Sequence, residues 1–305
     1  MAIALAAMLL GCAGDGARSP AGRADSGDPL AAASLMRDVR WLVDDALEGR
    51  GSFQRGGRLA ADRVAAELER AGLEVMRQPI PGGADNVLGV LRGGREAVIV
   101  SAHYDHLGRA EDGTIYPGAD DNASGVAVLL ALARAAAERD RARTIIFAAF
   151  GAEELGLIGS SVYLQHPLVP IDDTVAVINF DMVGRRFFEA GSGKAATAAA
   201  VGLERDDGAR RVTERAARAA GLELVVAPAR LSEVFGFHDR TDDWRFRRLG
   251  VFAVHFSTGL HDDYHRPTDT ADRLVPEQME RIARTADGLL SYLTARTAAG
   301  FHDSE

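Results

Sequence analysis

Five short segments concentrate side chains able to grip cations and move protons. They are His103-Tyr104-Asp105-His106, Asp120-Asp121-Asn122, Glu153-Glu154, Asp181, and residues 259–270 with His261 and His265. Each alone has an ordinary structural explanation. An Asp before a helix can be its N-cap, adjacent glutamates can be solvated loop acids, and an Asp after a strand can begin a turn. All five would have to be ordinary at once. The shared alternative is a metal site built from carboxylate and imidazole. The chain has one cysteine, Cys12, so no thiolate set is available, which disfavours a structural zinc site and favours a catalytic one. Two histidines and three carboxylates exceed what one open zinc needs. They suit two ions sharing a bridge, placed ~3.5–4 Å apart so that they clamp a reacting group from both sides. Charge balance agrees: the positive charges of two divalent ions would be met by Asp120, Glu154, Asp181 and a bridging hydroxide, available because such ions lower the pKa of bound water to about 7.

These residues need a scaffold that brings them together. Apolar runs at 97–102 (AVIVSA), 144–150 (TIIFAAF), 175–180 (VAVINF) and 251–256 read as buried strands, with a further strand at 222–226. Helical spacing marks 34–46, 58–71, 124–138, 209–220 and 277–293, and Gly72 is placed to end the second helix. Uninterrupted apolar strands between helices imply a sheet covered on both faces. The expected fold is a three-layer α/β/α sandwich with a central, mostly parallel mixed sheet, in a single catalytic domain over residues 31–298. In such folds crevices open past the C-terminal ends of the strands. His103, Glu153-Glu154 and Asp181 each follow one of those ends directly.

Composition narrows the classes. The chain has 305 residues, 47% hydrophobic and 26% charged, which excludes a long disordered chain. Beyond residue 10 nothing approaches the ~20 apolar residues of a membrane-spanning helix, so a polytopic membrane protein is excluded. A net charge of −9 argues against a general nucleic-acid binder. Among the basic residues only Lys194 is a lysine, which reads as coding bias. Residues 1–10 (MAIALAAMLL) lead into Gly11-Cys12. The Leu9-Leu10-Gly11-Cys12 run resembles the lipobox of bacterial lipoproteins, although no Lys or Arg precedes it as export signals normally require. That resemblance implies export to the periplasm or cell envelope, the outer membrane included, with membrane anchoring if Cys12 is acylated; the alternative is a plain export signal and a secreted protein. Residues 13–30 read as a flexible linker and 299–305 as a tail.

The five segments, in order, resemble the MH-clan zinc peptidases, which include bacterial leucyl-type aminopeptidases, glutamate carboxypeptidase II and glutaminyl cyclases. The motifs are His103-Tyr-Asp105, Gly118-Ala-Asp120-Asp121-Asn122-Ala-Ser-Gly125, Glu153-Glu154-Leu-Gly156, Asn179-Phe-Asp181-Met-Val-Gly184 and Tyr264-His265-Arg-Pro-Thr-Asp269. The resemblance spans residues 35–293 and implies two Zn²⁺, with Co²⁺ or Mn²⁺ as substitutes. It assigns His103 and Asp181 to one ion, Glu154 and His265 to the other, and Asp120 to the bridge. Glu153 would be the general base, Asp105 would orient the His103 imidazole, and Asp242 would orient His265. The implied activity is metallo-aminopeptidase hydrolysis of N-terminal peptide bonds. Runners-up are a dipeptidase or carboxypeptidase, whose substrate carboxylate could meet Arg185, Arg186, Arg240 or Arg245, then a glutaminyl cyclase, then a non-catalytic zinc-containing surface lipoprotein. Residues 185–188 and 231–238 are expected to shape specificity.

Overall fold

The computed structural model describes residues 27–188, 196–228 and 240–295. The lipobox and most of the linker, the tail and the 231–238 segment lie outside them. The described residues begin with helix α1 (Ala32–Leu42) and a 3₁₀ turn, Asp45–Arg50, then α2 (Arg55–Arg70). Strands β1 (Glu74–Gln78), β2 (Asn86–Leu91) and β3 (Gly94–His103) follow, then a small ribbon of β4 (Gly108–Arg109) and β5 (Ile115–Tyr116). An irregular turn, Ala119–Ser124, feeds α3 (Gly125–Ala136). The remainder is β6 (Arg143–Phe150), α4 (Ile158–Gln165), β7 (Thr174–Phe180), β8 (Thr197–Val201), α5 (Asp207–Ala220), β9 (Glu223–Ala227), α6 (Asp242–Arg248), β10 (Phe252–Ser257) and α7 (Pro276–Ala295).

Eight strands form one sheet in the order β1-β2-β6-β3-β7-β10-β8-β9. The central four, β6-β3-β7-β10, are mutually parallel; β2 joins β6 and β8 joins β10 antiparallel, while at the edges β1 pairs antiparallel with β2 and β9 parallel with β8. Successive side chains of a strand point to opposite faces, and β3 shows what that builds. Val98, Val100 and Ala102 enter a core shared with α1, α2, α3 and α7. Ala97 and Ile99 enter a second core, capped by Tyr163 of α4 and Phe246 of α6. Each buried branched side chain contributes about 1.5–3 kcal/mol of burial free energy, so both faces must be covered. The three-layer sandwich is therefore present, with heavier helical cover on one side. No helix among the described residues is long and apolar enough to cross a membrane.

The parallel centre fixes where the site lies. His103 pairs with Phe150, and Phe256 pairs with Phe180. The C-terminal ends of β3, β6, β7 and β10 thus finish on the same edge of the sheet, and the polar segments leave the sheet there.

Candidate metal centre

Two donor groups converge at that edge. One joins His103, Asp121 and Asp181; the other joins His106, Asp121, Glu154 and His265. Asp121 belongs to both. Its Oδ1 lies 3.4 Å from His103 Nε2, and its Oδ2 lies 3.2 Å from His265 Nε2. Asp181 Oδ1 is 3.3 Å from His103 Nε2, and Glu154 Oε2 is 2.9 Å from His265 Nε2. Zinc bonds of about 2.0–2.1 Å at tetrahedral angles would set donors about 3.3–3.4 Å apart, so the His103 group fits a divalent ion closely. The His265 group is slightly tighter. His265 Nε2 has no aligned hydrogen-bond partner despite two carboxylate oxygens beside it, as expected for a nitrogen whose lone pair serves a cation.

Backbone strain and hydrogen bonding aim these groups. Ala152, Met182 and His265 hold left-handed backbone with φ of 55°, 56° and 55°, each at a cost of about 1–3 kcal/mol. They flank or carry the side chains that face the cluster. The Asp105 carboxylate accepts the Glu153 amide at 3.1 Å and the Glu154 amide at 3.4 Å, so it fixes the turn that presents both glutamates. His103 Nδ1 lies 3.2 Å from the Asp105 backbone carbonyl and 3.7 Å from its carboxylate. Asp105 thus orients the imidazole chiefly through its main chain.

The electrostatics show a cluster short of positive charge. Burial opposes charging of His265, but Asp121 and Glu154 raise it to about 10. Burial likewise opposes charging of His103, and Glu153 and Asp181 raise it well above its ordinary value. Burial pushes the Glu153 carboxyl well above the usual carboxylate range, and Asp181, Asp242 and Glu154 add to the effect. Imidazoles that recruit protons and a carboxyl that keeps one both answer the same excess of negative charge, and bound cations would meet it instead.

The chain matches the model of peptidase family M28 over residues 86–290, which hold every residue of the cluster. The chain belongs to peptidase family M28. Aminopeptidase YwaD of Bacillus subtilis is 28% identical over 193 residues, covering 61% of this chain and 38% of that one. A probable zinc metalloprotease of Pyricularia oryzae is 34% identical over 213 residues, covering 61% of this chain and 40% of that one. This M28 chain therefore spans about 40% of the length of these curated relatives. Among solved structures, the LapA aminopeptidase of Legionella pneumophila aligns with a TM-score of 0.74 at 18% identity, over 88% of this chain and 73% of that one. A glutaminyl cyclase of Porphyromonas gingivalis aligns with a TM-score of 0.69 at 21% identity, over 88% of this chain and all (100%) of that one. These likenesses share the fold.

The structure of this M28 chain brings His103, Glu153, Glu154, Asp181 and His265 together, with Asp121 and not the expected Asp120 shared by the two donor groups. Asp120 does not face the cluster. Its Oδ1 accepts the Gly184 amide at 2.6 Å, its Oδ2 lies 3.3 Å from His261 Nε2, and its own amide is held by Asp269 at 3.0 Å. A Cβ at position 184 would stand 2.9 Å from Asp120 Oδ1, so this glycine admits the turned-away carboxylate. The physical reason is the irregular backbone between them: Asp121 has φ −103° and ψ 94°, outside the helical region, which swings its side chain inward while Asp120 points back.

Asp242 also differs from expectation. It is buried, and burial raises its carboxyl to about 7, with Asp105 and Asp181 adding to the effect and His103 and Ser160 opposing it. Among the described residues no hydrogen bond or ion pair joins it to His265, whose Nε2 faces Asp121 and Glu154. Of the four arginines considered for a substrate carboxylate, Arg240 lines the pocket over the centre, with Thr241, Leu260 and Tyr264. Arg185 is buried and paired to Asp263 at 3.0 Å, and Arg245 donates to the Gly156 carbonyl and lines a separate pocket. Arg186 is exposed.

Sequence reasoning missed His106 and Arg50. The His106 segment was visible as a second imidazole after β3, without a role. Arg50 is wholly buried and donates to the carbonyls of Tyr104, Leu42, Pro117 and Gly118 at 2.6–2.8 Å. Burial lowers it to about 10, and Asp121, Asp269, Asp105 and Glu154 favour its charge.

Proposed function

We propose that this M28 chain is a metallo-aminopeptidase that hydrolyses N-terminal peptide bonds at a centre holding two Zn²⁺. The observation that carries the reading is Asp121, which offers one oxygen to each of two donor groups while Glu153 stands beside them. His103 and Asp181 would hold one ion and Glu154 and His265 the other. Zinc bound there would polarise the scissile carbonyl and lower the pKa of water. Glu153 then accepts the proton of the attacking water and returns it to the leaving amine nitrogen. Its placement supports that role: Oε2 lies 4.0 Å from His103 Nε2, and the residue lines the pocket without belonging to either donor group. Tyr264 stacks on His265 with ring centroids 3.9 Å apart and lines the same pocket. Burial raises its phenol, so it stays a hydrogen-bond donor toward the carbonyl oxygen as charge develops. Zinc follows the donor chemistry, imidazole with carboxylate, and the zinc metalloprotease relative.

Arg240 favours a second reading, in which the substrate presents a carboxylate close to the scissile bond, as an acidic dipeptide does. The experiment combines metal analysis of the purified protein with three substrates: an aminoacyl anilide, an acidic dipeptide and a peptide with N-terminal Gln. Two zinc equivalents and turnover of the anilide are expected. Preference for the dipeptide would move the assignment to the second reading. Cyclisation of the Gln peptide without anilide hydrolysis would overturn both.

A further inference from the structure

We propose that His106 is a direct donor at the Glu154–His265 half, so that the two halves are unequal and ions load at the His106 half first. The inference rests on the two-ion reading above. With His106 included, one half has four protein donors, His106, Asp121, Glu154 and His265; the other has three, His103, Asp121 and Asp181. The His106 side chain is fully buried. Its Nδ1 lies 2.8 Å from Glu154 Oε1 and 3.7 Å from Asp121 Oδ2. Its Nε2 has no hydrogen-bond partner among the described residues, so no second polar contact explains the ring's presence. Burying an imbalanced polar ring for packing alone is costly.

The fold instead builds a seat for it. Gly118 has φ +56°, and a Cβ there would stand 2.5 Å from His106 Cγ and Cδ2. Any side chain at 118 would displace the ring. Arg50 ties the Tyr104 carbonyl, next to the His106 segment, to the Pro117 and Gly118 carbonyls. The His106 amide points to the Arg50 carbonyl at 3.4 Å. Two loops distant in sequence are thereby locked around one imidazole. The functional consequence is a division of labour. A half with four protein donors is nearly closed, whereas the three-donor half keeps an open position for substrate, and that half lies beside Glu153.

The test uses metal-free full chain titrated with Zn²⁺ against a chromophoric chelator, with Co²⁺ absorption recorded at one equivalent. Wild type should bind two ions in separate steps. His106→Ala should weaken the first step by about 100-fold or more, beyond the usual effect of losing a group that only orients a ligand, and should alter the one-equivalent Co²⁺ spectrum. His106→Asn keeps an N–H for Glu154 but is a poor ligand, and should weaken it equally. His103→Ala should abolish the second step and leave the first. Retention of the first-step affinity in His106→Asn, or an unchanged Co²⁺ spectrum in either variant, would overturn the proposal and leave His106 as a hydrogen-bond donor to Glu154. Uptake of a single ion in all by the wild type would fail the two-ion reading itself. Matching thermal unfolding of the metal-free proteins shows that each variant is folded.

Discussion

Replacing Glu153 by Gln separates catalysis from metal binding. The side chain keeps its size, and its backbone amide still donates to Asp105 at 3.1 Å, so the turn that presents Glu154 is undisturbed. No donor atom of either metal group is removed. What disappears is a base for the attacking water. Positioned general bases contribute about 10²–10⁴-fold, which at 1.36 kcal/mol per decade is roughly 2.7–5.4 kcal/mol of barrier. The pH profile gives a second signature. Burial and neighbouring acids push the Glu153 carboxyl up, and cations at the donor groups pull it down toward the range in which a base works. In the wild type kcat/KM should rise with pH as Glu153 loses its proton, and this acid limb should vanish in the variant. The assay is hydrolysis of an aminoacyl anilide across pH, with zinc content measured on the same samples. A variant that keeps both metals and stays within about 10-fold of wild type would refute the role assigned to Glu153.

Two neighbouring substitutions test the proposed bridging role of Asp121. Asp121→Asn should lose metal from both halves and nearly all activity. Asp120→Asn should keep its metal and instead cost about 1–3 kcal/mol of stability through the weakened Gly184 contact, as measured by elemental analysis and urea unfolding; the reverse pattern would restore Asp120 to the bridge. Away from the centre, Asp243 makes a buried ion pair with Arg247 at 3.0 Å and accepts from Thr241 at 2.7 Å. Burial alone would raise its carboxyl, but Arg247 and His255 outweigh that and hold it well below the usual range. A depressed folded pKa contributes stability above the unfolded value of ~3.9, lost as pH falls toward the folded one. Asp243→Asn should therefore cost about 3 kcal/mol at neutral pH and progressively less below about pH 4; a constant penalty in urea unfolding at both pH values would contradict the pairing.

Residues set by a strand end were legible, because burial of an apolar strand in a parallel sheet fixes both where it stops and which edge it stops at. His103 ends β3, and Glu153 and Asp181 follow β6 and β7, so all three lie at one edge of the sheet. Of the flanking strands, β9 was legible but β1 and β8 were hidden for a related reason. β1 (EVMRQ) is largely exposed and β8 (TAAAV) is mostly alanine, so neither carries a β-type pattern, and alanine prefers helix when considered alone. Asp120 and Asp121 were indistinguishable. They are adjacent acids before a helix, and which one faces the donor groups depends on one residue's backbone. A helix turns about 100° per residue, so reading the segment as a regular entry to α3 misplaces the side chain by a full neighbour. The actual break at Asp121 and Asn122 is non-helical and has no signature in residue type. Arg50 and His106 lay beyond local reading altogether. Arg50 ends a short 3₁₀ turn, and its partners Tyr104, Pro117 and Gly118 are 54–68 positions away. The seat for His106 exists only once those loops meet, so its chemistry is a property of tertiary contact and not of the motif that contains it. That dependence sharpens the difference between the two halves of the centre: His103 is placed by the sheet, whereas His106 is placed by a buried guanidinium that satisfies carbonyls from three separate segments.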